Sequence, residues 1–354
     1  MQRAVLCGYY GMGNGGDEAL LATLLQMLPP HVQPLVLSAD PRATEALHQV
    51  QASDRYSLGG ILSALREADT FIWGGGSLMQ DTTSARNPIY YGGLMGLAQG
   101  MGLRTIAWAQ GVGPLRRGLS KWIARRAFGG CDVVSVRDRQ SAELLASWQV
   151  RAEIAPDPVW AMQSEPVPLE RDAQSPMVAV VLRSHPDLTS CRIATILEAL
   201  QILQRRTDAN ILLIPFQPSQ DLAIAKALCK SLNAKSDQNY LPAQVVTQTN
   251  PRRLKGLFQH VDLAIAMRLH GVIMALAEGC QCSALSYDPK VSYLMQDLAL
   301  SGWELANLPE DAQAIADIWL QDLEAKPTAI APRIQQLKEQ AYIHQKALIP
   351  IDPS

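Results

Sequence analysis

Apolar runs alternate along the chain with longer stretches in which apolar residues recur at helical spacing. Residues 4–8, 34–38, 70–73, 104–108 and 133–136 read as strands, and residues 18–28, 42–51, 88–101, 120–128 and 141–148 as the helices between them. Continuous apolar strands separated by helices are the signature of a parallel sheet covered on both faces. Between Pro156 and Pro176 the prolines Pro158, Pro166 and Pro168 sit in a polar setting, which stops regular structure and suits a linker. Beyond it the rhythm restarts, with strands expected at 177–183, 210–215, 244–247, 261–266 and 282–287 and helices at 192–206, 219–232, 251–259, 271–278 and 291–300. The expected fold is α/β, two Rossmann-like doubly wound domains facing each other across a cleft. Residues 1–160 form the first domain, 161–176 the linker and 177–305 the second domain. Residues 306–354 form a helical, Pro-punctuated segment able to return onto the first domain.

The length of 354 residues suits two such domains, and 48% hydrophobic against 18% charged residues excludes a disordered chain. Lys and Arg number 31 against 33 Asp and Glu, so no basic excess supports broad nucleic-acid binding. No apolar stretch reaches spanning length, and the start of the chain does not read as a signal peptide. The cysteines Cys7, Cys131, Cys191, Cys229, Cys280 and Cys282 lack a repeated CxxC spacing, which fits reduced thiols in a cytoplasmic protein.

Sheets of this kind bind ligands at the carboxyl ends of their strands, so chemistry is sought in the loops that follow them. The first loop contains GxGxxG from Gly11 to Gly16, and Asp40 ends the second strand where a dinucleotide fold places its ribose-binding acid. Asp17 and Glu18 argue against that ligand, because two carboxylates in the first helical turn already occupy the positive helix end. Asn14 either caps this helix or meets a ligand beside Gly15. Asp17 either closes a capping box or, like Glu18, presents a carboxylate able to act as a base toward a hydroxyl. The run Gly74–Gly75–Gly76–Ser77 offers bare backbone to a ligand or to a neighbouring loop, and Gln110 and Arg137 stand after the next two strands.

In the second half Arg183 ends one strand, while Arg268 and His270 follow another. An arginine at the end of an apolar strand either meets a carboxylate of the protein or waits for an anion, and no acid lies in the loop of Arg268. Lys290 stands at the next strand end. No HExxH, GxxxxGK[ST], GxSxG or paired CxxC occurs, so the metal hydrolases, P-loop enzymes and serine hydrolases lack their usual signals.

The stretches GYYGMGNGGDEALL, GGGSLMQD, AQGVGPL, SVRDRQS, APDPVW, AMRLHGVIMALAEG and SYDPKV, in this order over residues 1–295, resemble the polysaccharide pyruvyltransferase family and are most similar to its CsaB-type members. The resemblance implies two halves of the glycosyltransferase-B type and transfer of a pyruvyl group from phosphoenolpyruvate to a sugar as a ketal. Arg268 and His270 correspond to the family's donor pocket, with Arg183 as a second arginine for phosphate or carboxylate. His270 would protonate the methylene carbon, Asp17 or Glu18 would help deprotonate the attacking hydroxyl, and Lys290, Asn14, Gly15, Gly75, Gly76, Ser77, Gln110 and Arg137 would line the substrates. No metal or redox cofactor enters this scheme.

For CsaB-type relatives the acceptor would be a lipid-linked cell-wall glycan bearing N-acetylmannosamine, whose pyruvylated polymer anchors surface-layer proteins. Such an acceptor places the work at the inner face of the cytoplasmic membrane. No helix shows an obvious basic amphipathic stripe, and residues 116–126, with Arg117, Lys121, Trp122 and Arg125, are either the best candidate for surface contact or a solvated helix face. A nucleotide-sugar glycosyltransferase of the same architecture is the alternative, since fold does not choose the donor.

Overall fold

The strand and helix pattern folds into two parallel sheets, which the computed structural model describes over residues 2–82, 84–169, 174–234, 242–325 and 330–349. The chain divides into two units, one of residues 1–163 with 337–354 and the other of residues 164–336. Each is a Rossmann-like doubly wound α/β unit, and the fold is of the glycosyltransferase-B class.

The first unit runs β1 (Gln2–Cys7), α1 (Gly15–Met27), β2 (Val32–Ser38), α2 (Pro41–His48), β3 (Gln51–Asp54), α3 (Leu58–Arg66), β4 (Thr70–Trp73) and β5 (Gly76–Met79). It continues through α4 (Arg86–Gly100), β6 (Arg104–Val112), α5 (Gly118–Gly129), β7 (Val133–Val136), α6 (Arg139–Ser147) and β8 (Glu153–Ile154). Its strands pair in parallel in the order β3-β2-β1-β4-β6-β7-β8, with β5 beside β6. The order reverses between β1 and β4, which makes the loops after those two strands the natural place for a ligand. Apolar strand faces close the core, where Trp73 meets Phe128 edge to face at 5.3 Å and Met95 and Leu145 are fully buried.

The second unit runs β9 (Met177–Val181), α7 (Ser190–Thr207), β10 (Asn210–Leu213), α8 (Pro218–Asn233), β11 (Gln244–Val245), α9 (Pro251–Leu257) and β12 (Leu263–Ala266). Then come α10 (Leu269–Ala277), β13 (Gln281–Ser286), α11 (Pro289–Leu298), β14 (Gly302–Glu304) and α12 (Ala312–Glu324), while α13 (Ala331–Ala341) leads back to the first unit. The parallel order β11-β10-β9-β12-β13-β14 reverses between β9 and β12. Its core packs Ile196, Leu200 and Leu203 of α7 and Trp319 of α12 against the sheet.

Several sequence expectations are corrected. The polar edge strand β3 and the helix α3 follow the predicted helix 42–51, β5 forms where a glycine loop is expected, and β6 runs on through Gln110 to Val112. The proline-rich stretch is pinned to the second unit: Ser164 Oγ donates to Glu278 at 3.1 Å, Glu165 N to the Arg252 carbonyl at 3.0 Å, and Val167 O pairs with His260 Nε2 at 2.9 Å. Part of it, residues 170–173, lies outside the described residues. Of the helical segment from residue 306 onward, residues up to 336 belong to the second unit. Residues of the first unit after α13 form a 3-10 turn over Tyr342–Leu348 in which His344 is wholly buried. All six cysteines are free thiols, and burial pushes the Cys7 and Cys131 thiols up to about 12.

Candidate functional site

In the second unit β9, β12 and β13 are neighbours, with Val181 opposite Ala266 and Ala266 opposite Ala284. Parallel register therefore brings Arg183, Arg268 with His270, and Lys290 to the same carboxyl edge, at the reversal of strand order. Arg268 does not wait for an anion as a bare charge. Its Nε and Nη2 fork onto Asp221 Oδ2 and Oδ1 at 2.8 and 2.7 Å, and Asp221, from the first turn of α8, is completely buried. Asp221 also accepts the Gln217 amide at 2.9 Å. The carboxylate that matches Arg268 comes from 47 residues away, so the loop of Arg268 holds no trace of it.

Arg183 is the opposite case. Its Nη1 donates to the Tyr287 hydroxyl at 2.8 Å and its Nη2 to Gln220 Oε1 at 3.2 Å, while the guanidinium lies 5.0 Å from the Tyr287 ring centre. These partners are neutral and Nε is buried without one, so among the described residues no acid pairs with this half-buried cation. His270 stands half-buried in the first turn of α10, whose N-terminus has no side-chain cap. A helix N-terminus offers backbone donors suited to an anion, and this one stands next to the strand end that carries Arg183. Lys290, half-buried, opens α11 behind the capping carboxylate of Asp288.

In the first unit the loop after β1 and the glycine run after β4 meet. Gly11 needs to be glycine, because φ is +73° and a Cβ would lie 2.6 Å from the Asp40 amide. Asn14 caps α1 by accepting the Gly16 amide at 3.0 Å, and Gly15 is the buried first residue of that helix. Glu18 is buried and anchors the loop: its Oε1 accepts the Gly11 amide at 2.9 Å, and its Oε2 meets His48 Nε2 at 3.0 Å. Asp17, one residue earlier on the helix, is half-buried and turns toward Gly76, where a Cβ would stand 3.5 Å from Asp17 Oδ1. Asp40 caps α2 through the Ala43 amide at 3.0 Å.

Three further candidate residues are held by the protein's own groups. Gln110 is completely buried in β6 and ties the carbonyls of Gly74 and Trp108 together. Arg137 forms an enclosed ion pair with Asp157 at 2.6 Å and donates from Nη2 to Ser77 Oγ at 3.0 Å, which holds Ser77 in place. Gly75 packs against the helix, since a Cβ there would come within 2.8 Å of Leu20. Together they stiffen the floor beneath Asp17 and Gly76.

An aromatic basin beside this floor escaped sequence reading. Arg55, buried just after the unpredicted strand β3, donates to the Gly8 carbonyl at 2.8 Å and to the Tyr91 hydroxyl at 3.1 Å, with Tyr90 at 4.8 Å and Tyr56 at 5.7 Å from its charge. Tyr9 and Tyr56 are exposed at 37% and 67%, which leaves aromatic faces open to the solvent above the same loop. Burial and the nearby Asp17 carboxylate raise the Tyr9 hydroxyl above its ordinary range. Asp221 and Arg55 were both hidden by distance along the chain; the one available signal was a tyrosine-rich pattern at Tyr9, Tyr56, Tyr90 and Tyr91.

The model of the family described as polysaccharide pyruvyl transferase matches residues 14–289 of the sequence. The chain belongs to that family. This polysaccharide pyruvyl transferase relative shares its fold with several solved structures. S. aureus MnaA, solved with UDP, has a TM-score of 0.63 at 9% identity, with 100% of this chain and 99% of that one covered. Anabaena HepE, in complex with UDP and glucose, has a TM-score of 0.59 at 11% identity, over 98% of this chain and 100% of that one. The UDP-GlcNAc 2-epimerase of Neisseria meningitidis, bound to UDP-GlcNAc, gives 0.61 at 10% identity over 98% and 97%. No curated protein matches the sequence of this pyruvyl transferase relative.

Proposed function

We propose that the protein transfers the pyruvyl group of phosphoenolpyruvate to a sugar bearing two suitably spaced hydroxyls, forming a pyruvate ketal and releasing phosphate. Family membership supports the transferase class, and one structural observation carries the donor: Arg183, a cation paired with no acid among the described residues, stands at the strand-order reversal beside the start of α10, which has no side-chain cap. Phosphoenolpyruvate offers a phosphate and a carboxylate to these groups, both suited to guanidinium and amide donors. Arg268, held by Asp221, fixes the start of α10 and so the backbone donors and His270.

In the reaction His270 gives a proton to the methylene carbon, which becomes a methyl group, while a sugar hydroxyl bonds to C2 and Asp17 receives its proton. The bond from C2 to the phosphate oxygen then breaks, its electron pair leaving with phosphate, and a second hydroxyl of the sugar bonds C2. Of the two hydroxyl protons, one replaces that lent by His270 and the other leaves with phosphate. Lys290 adds positive charge on the donor side. The first unit supplies the acceptor side, with Asp17, Asn14, Gly15, Gly76 and Ser77 in the loops and Tyr9 and Tyr56 as faces on which a sugar ring stacks.

A CsaB-type acceptor, a lipid-linked cell-wall glycan carrying N-acetylmannosamine and destined for surface-layer anchoring, fits this chemistry and places the protein in the cytoplasm at the inner membrane face. The test incubates the protein with labelled phosphoenolpyruvate and an aminosugar disaccharide, reading phosphate release and the mass of the glycan. Phosphate release with a pyruvyl mass gain is expected. The alternative, a nucleotide-sugar glycosyltransferase, is favoured by the UDP held in the MnaA and HepE structures; turnover of a nucleotide sugar alone would establish it and overturn the ketal reading.

A further inference from the structure

From position 82 to 131 the chain has seven cations, Arg86, Arg104, Arg116, Arg117, Lys121, Arg125 and Arg126, and no acidic residue. A chain of net charge −2 therefore carries +7 in this segment and −9 in the remainder. The segment contains α4, β6 and α5. On α5 the buried residues Ser120, Ala124, Ala127 and Phe128 face inward, so Leu119, Lys121, Trp122, Arg125 and Arg126 are all exposed. That is the basic amphipathic helix that the linear sequence does not display. Among the described residues, none of Arg116, Arg117, Lys121, Arg125 and Arg126 is in a salt bridge.

Alongside these charges α4 and α5 leave an apolar groove of about 600 Å³, lined by Ile89, Gly93, Gly96, Trp122, Ile123 and the stem of Arg126. Gly92 lets the helices approach, since a Cβ there would run into Ile123, whereas Cβ atoms at Gly93 and Gly96 would meet nothing and the groove stays open. Its rim is apolar and outward: Trp122 is 65% exposed, Leu119 61% and Ile89 55%. Exposed large apolar side chains on a helix that also carries cations in no salt bridge are matched by a surface that is hydrocarbon below and anionic above. A tryptophan at such a level is the side chain that membrane interfaces favour.

We propose that the α4–α5 face docks on an anionic phospholipid bilayer, with Trp122, Leu119 and Ile89 entering the headgroup–acyl boundary and the arginines and Lys121 meeting lipid phosphates. No helix among the described residues is long and apolar enough to cross a membrane, so this contact is peripheral. The surface deepens the reading of a lipid-linked acceptor, yet it stands on charge and exposure that do not depend on the pyruvyl reaction.

The test is sedimentation of the full chain with vesicles of phosphatidylcholine containing phosphatidylglycerol, against phosphatidylcholine alone, without donor or acceptor. Binding to the anionic vesicles only, lost at high salt, is expected. Arg125→Gln and Lys121→Gln should each weaken it about fivefold, and Trp122→Ala should abolish the emission shift that accompanies insertion. No binding by the wild type, equal binding to neutral vesicles, or unchanged binding by all three variants would overturn the proposal. So would a concentration-dependent dimer, by light scattering, that Trp122→Ala dissolves while vesicles stay unbound. Ketal formation on a soluble disaccharide is read separately and should be unchanged in the three variants, so failure of the pyruvyl reading and failure of the docking face give different results.

Discussion

Replacing His344 by Gln should remove an acid-sensitive lock from the first unit. The ring is buried, with Nδ1 3.0 Å from Ser135 Oγ and Nε2 2.9 Å from the Pro156 carbonyl, while the His344 carbonyl accepts from Trp108 Nε1 at 3.1 Å. Burial lowers its pKa to about 4 from an ordinary 6.5, against the opposing pull of the Pro156 carbonyl and Asp157. The folded form therefore resists the proton that the unfolded chain accepts. Stability from this group is complete above pH 6.5 and falls as pH drops toward 4, by about 1.4 kcal/mol per unit. Between pH 7 and pH 5 the loss is about 2 kcal/mol, and the full depression corresponds to about 3 kcal/mol. The assay is urea unfolding at a series of pH values, read by hydrogen exchange in peptides covering 104–112 and 337–349 so that the first unit is followed by itself. The Gln variant should be less stable than wild type at pH 8, with a difference that narrows as pH falls to 5. A difference that stays constant over that range would refute the burial argument.

Four other outcomes follow from the same structure. Asp221→Asn should cost about 3 to 5 kcal/mol of second-unit stability, because it leaves the Arg268 charge buried and unmatched, and denaturant unfolding of the wild type and variant measures it. Arg183→Ala should raise the dissociation constant for phosphoenolpyruvate about tenfold to a hundredfold by calorimetry, with unfolding changed by less than about 1 kcal/mol, whereas His270→Ala should lower turnover with donor affinity largely kept. Tyr10→Phe should be neutral or stabilising by up to about 1 kcal/mol in thermal unfolding, since the buried Tyr10 hydroxyl has no partner among the described residues; a clear loss would show that the hydroxyl is satisfied.

Apolar strands were legible down to their ends where both faces are covered: Thr70–Trp73 and Val133–Val136 appear at the expected bounds. The edge strand Gln51–Asp54 was not, because a strand paired on one side and open to water carries no apolar run. Gly76–Met79 reads as a loop in sequence and becomes a strand because β6, beside it, extends to Val112. Among the candidate site residues, sequence reading placed Arg183, Arg268, His270 and Lys290 after strands that the fold makes neighbours. It could not see which arginine already had a carboxylate, since Asp221 reaches Arg268 through folding alone. Nor could it separate Asp17 from Glu18, whose different environments follow from a turn of about 100° between adjacent helical positions.

The clamp made by Tyr342–Leu348, with Arg104 Nη2 holding the carbonyls of Ala347 and Ile349 at 3.1 and 2.8 Å, has a consequence for biosynthesis. These residues belong to the unit that begins the chain, yet the whole of the other unit is translated before them. Order of synthesis and order of completion are thus inverted: residues 164–336 can finish folding on the ribosome while the earlier sheet still awaits its closing segment. A nascent chain stalled short of position 337 should accordingly leave Trp108 and Ser135 uncovered, a transient exposure suited to chaperone capture.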